Sequence, residues 1–159
     1  MKQPTRFQIL LATGFGTGYS PVAPGTAGAL LMWIVWIVIY AFLPTDFYFA
    51  LSSAIFLFLA YYGTKAATAV EAIWGKDPSR VVVDEMIGVL MPLMTIISDD
   101  IWFYYSIAAF VLFRLFDIYK PLGIRKLESL NGGLGVMADD ILAGIYSALI
   151  MLIAQWFIG

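Results

Sequence analysis

The chain contains no cysteine and no histidine. The first absence excludes disulfides, zinc–thiolate centres and thiol nucleophiles. The second removes imidazole as base, nucleophile or metal ligand. Charge is also scarce, at 13% of residues against about 25% in an average soluble domain. Any chemistry here runs on carboxylates, Lys and Arg, hydroxyls, backbone groups and a hard metal ion. No block of basic residues suggests a nucleic-acid partner, and the net charge is only −2.

What fills the space is apolar: 62% of the 159 residues are hydrophobic and 16% aromatic. A soluble domain averages about 45–50% apolar, so the composition predicts a polytopic membrane protein. By length, residues 1–159 form a single integral-membrane domain. The basic N-terminus, MKQPTRFQIL, lacks a cleavage pattern after a short apolar core and is expected to be retained.

About five segments are long and apolar enough to read as transmembrane helices: Ala27–Leu43, Phe47–Ala69, Val81–Ile97, Ile101–Phe116 and Ile141–Ile158. The expected fold is an all-α helix bundle with a glycine/proline-rich N-terminal loop leading into the first helix. The stretches LPTD and ISDD read as tight turns between them. All nine basic residues, Lys2, Arg6, Lys65, Lys76, Arg80, Arg114, Lys120, Arg125 and Lys126, then fall at one end of the bundle. The opposite connectors hold only Asp46, Asp99 and Asp100. By the positive-inside rule the N-terminus and the long connections face the cytoplasm, and the C-terminus faces outward.

Three polar stretches interrupt the apolar background, all on the basic side. The first, GFGTGYSPVAPGTAGAL, runs from Gly14 to Leu30. No strand precedes it and no Gly-Lys-Ser/Thr follows, so it is not a nucleotide-binding loop of the usual kind. It reads as a loop stiffened by Pro21 and Pro24 and capped by Thr26. Its backbone N–H groups, with Ser20 or Thr26, are candidates to face an anion.

The second, KDPSRVVVDEMIGVL, places Asp84 and Glu85 at the start of an apolar segment, with Gly88 one turn beyond Asp84. A carboxylate at the centre of a membrane helix costs roughly 2.5–3.5 kcal/mol on insertion scales. Placement at a helix N-terminus offsets one such charge, but not readily two.

The third, RLFDIYKPLGIRKLESLNGGLGVMADDILAG, sets Arg114, Asp117 and Lys120 on roughly one helical face. After a glycine-rich loop, Asp139 and Asp140 open the last helix, with Gly144 one turn deeper. Small residues let membrane helices approach closely, so Gly88 and Gly144 are expected to draw the two acidic helix starts together.

Five carboxylates therefore gather at one end of three helices: Asp84, Glu85, Asp117, Asp139 and Asp140. Like charges so placed repel unless a cation intervenes, and oxygen ligands without His or Cys point to Mg²⁺, Mn²⁺ or Ca²⁺. Lys76, Arg80, Lys120 and Arg125 nearby suit a phosphate. The residues alone describe a metal-assisted phosphoryl-transfer site at the level of the lipid headgroups.

Four stretches, in this order, resemble the pattern of the phosphatidylglycerophosphatase A family: GFGTGYSPVAPGTAGAL, DPSRVVVDEMIGVL, FDIYKPLGIRKLE and GGLGVMADDILAG. The resemblance spans Gly14 to Gly144. It implies a Mg²⁺-dependent enzyme of the bacterial cytoplasmic (inner) membrane that hydrolyses phosphatidylglycerol phosphate to phosphatidylglycerol and inorganic phosphate. Carried over by position, it implies Asp84 and Glu85 in the Asp-Glu-x-x-Gly element, Asp117, Lys120 and Pro121 in Phe-Asp-x-x-Lys-Pro, and the terminal pair Asp139 and Asp140. The expected assignment has these five acids as metal ligands and catalytic groups, with Asp140 touching the metal. Lys120 and Arg125 would then hold phosphate oxygens, with Ser20 and Thr26 in a third wall.

The chain departs from some family members, which carry a His before the Asp-Glu element where this sequence reads WGKDPSR. Two rival readings are a CDP-alcohol phosphotransferase and a small cation transporter. The first needs an Asp-Gly-x-x-Ala-Arg stretch, which is absent. The second needs acids near mid-bilayer with access from both sides.

Overall fold

A computed structural model describes residues 3–97 and 100–158. Among the described residues every regular element is helical. In chain order they are α1 (Arg6–Ala12), α2 (Pro24–Phe42), α3 (Thr45–Phe58), α4 (Thr64–Trp74), α5 (Val83–Leu93), α6 (Trp102–Tyr119) and α7 (Gly133–Ile158), with 3₁₀ turns at Thr17–Tyr19 and Ile124–Ser129. A π-helical turn, Leu59–Gly63, joins α3 and α4 into one continuous helix. Lys2 and Asp99, assigned above to opposite ends, lie outside the described residues.

Local chemistry sets most boundaries. A reciprocal capping box starts α1: the Gln8 N–H donates to Thr5 Oγ1 and the Thr5 N–H donates to Gln8 Oε1. Pro24 sits at the first helical position of α2, where a missing N–H costs nothing. Pro44 separates α2 from α3. Gly75, at φ +90°, ends α4. Lys120 closes α6 in the left-handed region, at φ 45° and ψ 53°, immediately before Pro121.

Four helices are long and apolar enough to cross a membrane: α2, the combined α3–α4, α6 and α7. Their bounds lie within a few residues of the expected segments, except at three places.

The segment Val81–Ile97 is not a lipid-facing span. Its helix, α5, has 11 residues and is buried almost all round, from Val83 to Leu93. A helix apolar on every face belongs inside a bundle, and α5 packs against α2, α6 and α7. It still traverses the molecule. Asp84 at its start lies beside Asp140 of α7, while the residues after its end meet Gln155 of the same helix. Fifteen helical residues separate Asp140 from Gln155, about 22 Å. Side chains satisfy the non-helical backbone at that far end. Gln155 Nε2 donates to the Thr95 carbonyl (3.1 Å), the Ile97 N–H donates to Gln155 Oε1 (3.3 Å), and the Tyr48 hydroxyl donates to the Ile96 carbonyl (2.6 Å).

The last helix begins eight residues earlier than expected. The glycine-rich stretch is its first turn rather than a loop, because the Gly133 N–H finds a partner in Thr68 Oγ1 of α4 at 2.9 Å. Asp139 and Asp140 consequently stand inside α7, in its second turn. Thr26 does not cap α2. It is a residue within the first turn, and the cap position is Ala23, left-handed at φ 46°.

The glycine expectation holds. A Cβ at Gly88 would fall on the Phe113 ring and 2.8 Å from the Asp140 carbonyl. A Cβ at Gly144 would lie 2.5 Å from the Gly88 carbonyl. Helices α5 and α7 therefore meet backbone to backbone. Gly144→Val is expected to destabilise the protein by about 1–3 kcal/mol, as overpacking does. Thermal unfolding in detergent checks this, and a variant melting with the parent would contradict the contact.

Candidate active site

The first turn of α5 delivers Asp84 and Glu85, and the second turn of α7 delivers Asp140. One carboxylate oxygen from each of these three lies within 4.8 Å of the other two. The Gly88–Gly144 approach produces this spacing, since any side chain there would separate the two helices. Asp117 of α6 and Asp139 of α7 complete the wall, so the five acids singled out in the sequence line one cavity of about 420 Å³.

The cluster is buried. Asp84 and Asp117 are 8% exposed, Asp139 4% and Asp140 3%. Four of its carboxylate oxygens, Asp84 Oδ1, Glu85 Oε2, Asp139 Oδ1 and Asp140 Oδ2, are shielded and have no hydrogen-bond partner among the described residues. A buried carboxylate without a partner costs several kcal/mol. Two cations face the five acids. Arg114 Nη1 pairs with Asp117 Oδ2, and Lys120 Nζ bridges Asp139 Oδ2 (2.5 Å) and Glu128 Oε1 (2.8 Å). Two positive charges against five negative ones leave the cluster short of positive charge. Its donor set is oxygen alone. That set fits a hard divalent cation held by Asp84, Glu85 and Asp140.

Lys120 reaches the acids because its left-handed backbone turns the chain sharply at the end of α6. Burial pushes its pKa down. The hydrogen bonds to Asp139 and Glu128 outweigh that, and the net shift is upward. Its ammonium therefore stays charged across the physiological range. Strain concentrates here too: Ala23, Asp77 and Lys120, three of the five non-glycine residues with positive φ among the described residues, line this cavity.

Other expected residues lie elsewhere. Arg125 lines a neighbouring cavity of about 520 Å³ together with Lys76, which touches the first through Asp77 and Asp139. Ser20 spends its hydroxyl on the Val22 carbonyl (2.8 Å), and neither Ser20 nor Thr26 lines the acid cavity. Ala23, at the end of the N-terminal loop, and Pro24 and Gly25, at the start of α2, line it instead. A Cβ on Gly25 would run into the Glu85 carboxylate. The candidates missed from sequence are Ser79, Gly25 and above all Arg114. Its spacing from Asp117 marks it as an ion-pair partner, not as a wall of the cavity.

The family model described as phosphatidylglycerophosphatase A matches residues 10–155. A Bacteroides thetaiotaomicron protein, named provisionally as a phosphatidylinositol-3-phosphatase, is 52% identical over the full length of both chains. Phosphatidylglycerophosphatase A of Escherichia coli is 38% identical, covering 94% of this chain and 82% of its own. Its Haemophilus influenzae counterpart is also 38% identical, covering 93% and 88%. No solved structure matches.

The raised pKa of Lys120 carries a sign. Its charged form stabilises the fold fully below the unfolded pKa of about 10.4, and that contribution disappears as pH rises through the higher folded value. Lys120→Met should therefore melt below the parent by an amount that lysine titration leaves constant from pH 6 to 9. The gap should narrow only above about pH 10.4. Melting curves across that range test it, and a gap that closes near neutrality would contradict the pairing.

Proposed function

The chain belongs to the phosphatidylglycerophosphatase A family, and from that premise we propose that it hydrolyses phosphatidylglycerol phosphate to phosphatidylglycerol and inorganic phosphate, with Mg²⁺, at the cytoplasmic face of a bacterial inner membrane. That it is a membrane-embedded lipid phosphatase follows from the family and from its four membrane-length helices. The observation that carries the finer reading is the trio of buried Asp84 and Asp140 with half-buried Glu85, which brings one oxygen from each within 4.8 Å of the others.

Phosphate monoesters are among the slowest groups to hydrolyse unaided, so most of the catalytic effect is charge stabilisation. A bound Mg²⁺ supplies neutralisation of the phosphate and a lowered pKa for a water molecule. Asp84, Glu85 and Asp140 would hold it. Asp139 and Asp117 position the two cations, Lys120 and Arg114, around the cavity. Lys120, fixed on Asp139, presents a permanent positive charge to phosphate oxygens. The burial of the cluster excludes bulk water and strengthens each of these interactions. An acid quench after turnover separates attack by water from attack by a carboxylate, since only the latter leaves phosphate on the protein.

The high identity to the relative named as a phosphatidylinositol-3-phosphatase favours a second reading, in which the polyol is inositol. The two lipids share their chemistry: a phosphomonoester on a polyol that a phosphodiester ties to diacylglycerol.

Purified protein in detergent is expected to release phosphate from phosphatidylglycerol phosphate with Mg²⁺ and not with EDTA. Release from phosphatidylinositol 3-phosphate alone would select the second reading, and release from neither would sink both. Independently of turnover, Mg²⁺ at about 100 times its Kd should stabilise the parent by about 2.7 kcal/mol. Asp140→Asn should abolish that stabilisation. An equal Mg²⁺ response in the variant would remove Asp140 from the metal site.

A further inference from the structure

Arg114 is the one charged residue of the cavity whose donors are mostly unused. Nη1 binds Asp117, and the shielded Nε has no partner. No other hydrogen bond from this guanidinium occurs among the described residues. Its side chain is 15% exposed. Leaving the shielded Nε unfilled is costly, and a guanidinium carries donors that suit phosphate oxygens.

The position of Arg114 is as informative as its chemistry. Helix α6 runs toward the acid end and finishes at Lys120, so Arg114 is the deepest charged group that α6 gives the cavity. It lies one turn, about 4.5 Å, below Asp117. On the outer side of the same turns, Val111, Leu115 and Ile118 form an exposed apolar stripe, 48%, 46% and 62% accessible. Ile118 also lines the polar cavity. Opposite stands the start of α2. Helices α2 and α6 touch where Trp33 Nε1 donates to the Ser106 carbonyl at 3.1 Å. About two turns nearer the acids they frame the cavity, and Gly25 puts no side chain into the gap.

We infer that Arg114 binds the phosphodiester of the lipid substrate, in a lateral opening between α2 and α6, with the acyl chains lying on the Leu115–Ile118 stripe. The inference rests on the lipid-phosphate reading given above. A lipid held by its tails in the bilayer presents diacylglycerol, phosphodiester, polyol and monoester in that order. With the monoester at Asp84, Glu85 and Asp140, the diester falls on the α2–α6 side of the cluster, where Arg114 stands beside Gly25. The phosphodiester is the element common to the glycerol and inositol lipids, so Arg114 selects for the linkage rather than the polyol. Phosphatidic acid, a monoester attached directly to diacylglycerol, cannot fill both positions.

Short-chain dihexanoyl phosphatidylglycerol and dihexanoylglycerol, titrated into the detergent-solubilised protein with EDTA present, test this by tryptophan fluorescence. Neither metal nor turnover is involved, so failure here is separate from failure of the phosphatase assay. The parent is expected to bind the phosphodiester lipid more tightly than the diacylglycerol. Arg114→Gln should weaken the former roughly tenfold while leaving the latter unchanged. Arg114→Lys, which keeps a cation for Asp117, should fall between them and guards against a folding defect. Equal affinity of the parent for the two lipids would overturn the inference. So would undiminished phosphatidylglycerol binding by both variants.

Discussion

The contact between the backbones of α5 and α7 is the constraint on which the rest depends. At Gly88 and Gly144 the two helices approach until a single methyl group would collide with a carbonyl. That contact brings Asp84 and Glu85 against Asp140 and holds them there against mutual repulsion. The molecule is built around an unfavourable arrangement, three carboxylates shielded from water, and rigid helix packing keeps it in place. A looser interface would let the acids separate and take water, and the gathered oxygens would be lost.

The short length of α5 follows from the same constraint. A helix facing lipid has to supply its own hydrogen bonds across the whole hydrocarbon layer. One enclosed by α2, α6 and α7 can stop at Leu93 and hand its remaining backbone groups to Gln155 and Tyr48. The far end is further stiffened by aromatic packing, with Trp36 and Tyr40 stacked at 4.8 Å and Tyr40 at 4.9 Å from both Tyr48 and Trp102. One end of the bundle is thus dry and aromatic. The other is polar, strained at Ala23, Asp77 and Lys120, and carries the chemistry.

Much of this was legible in the sequence because the signals were costly ones. Carboxylates inside apolar runs are expensive enough that Asp84, Glu85, Asp117, Asp139 and Asp140 could be grouped before any geometry was known, and the structure brings all five to one cavity. The glycines one turn beyond Asp84 and Asp140 likewise read correctly as contact points. What was hidden depended on neighbours far away in the chain. Gly133 begins a helix only because Thr68, 65 residues earlier, accepts its N–H. Val81–Ile97 has the hydropathy of a span, and nothing local says that other helices surround it. Arg125 and Arg114 have the same side chain and stand eleven residues apart. Helix direction and the turn at Lys120 decide which of them faces the acids.

The lengths of the long helices have a mechanical consequence. Helix α7, with 26 residues, is about 39 Å long, against a hydrocarbon layer of about 30 Å. With its C-terminal end level with one edge of that layer, the surplus is about six residues, residues 133–138, and the first residue at the other boundary is Asp139. The continuous α3–α4 helix is longer still and braces that surplus through Thr68. The helix acts as a ruler whose zero mark is the acid pair: bilayer thickness fixes whether the cluster rides at the headgroups or sinks beneath them.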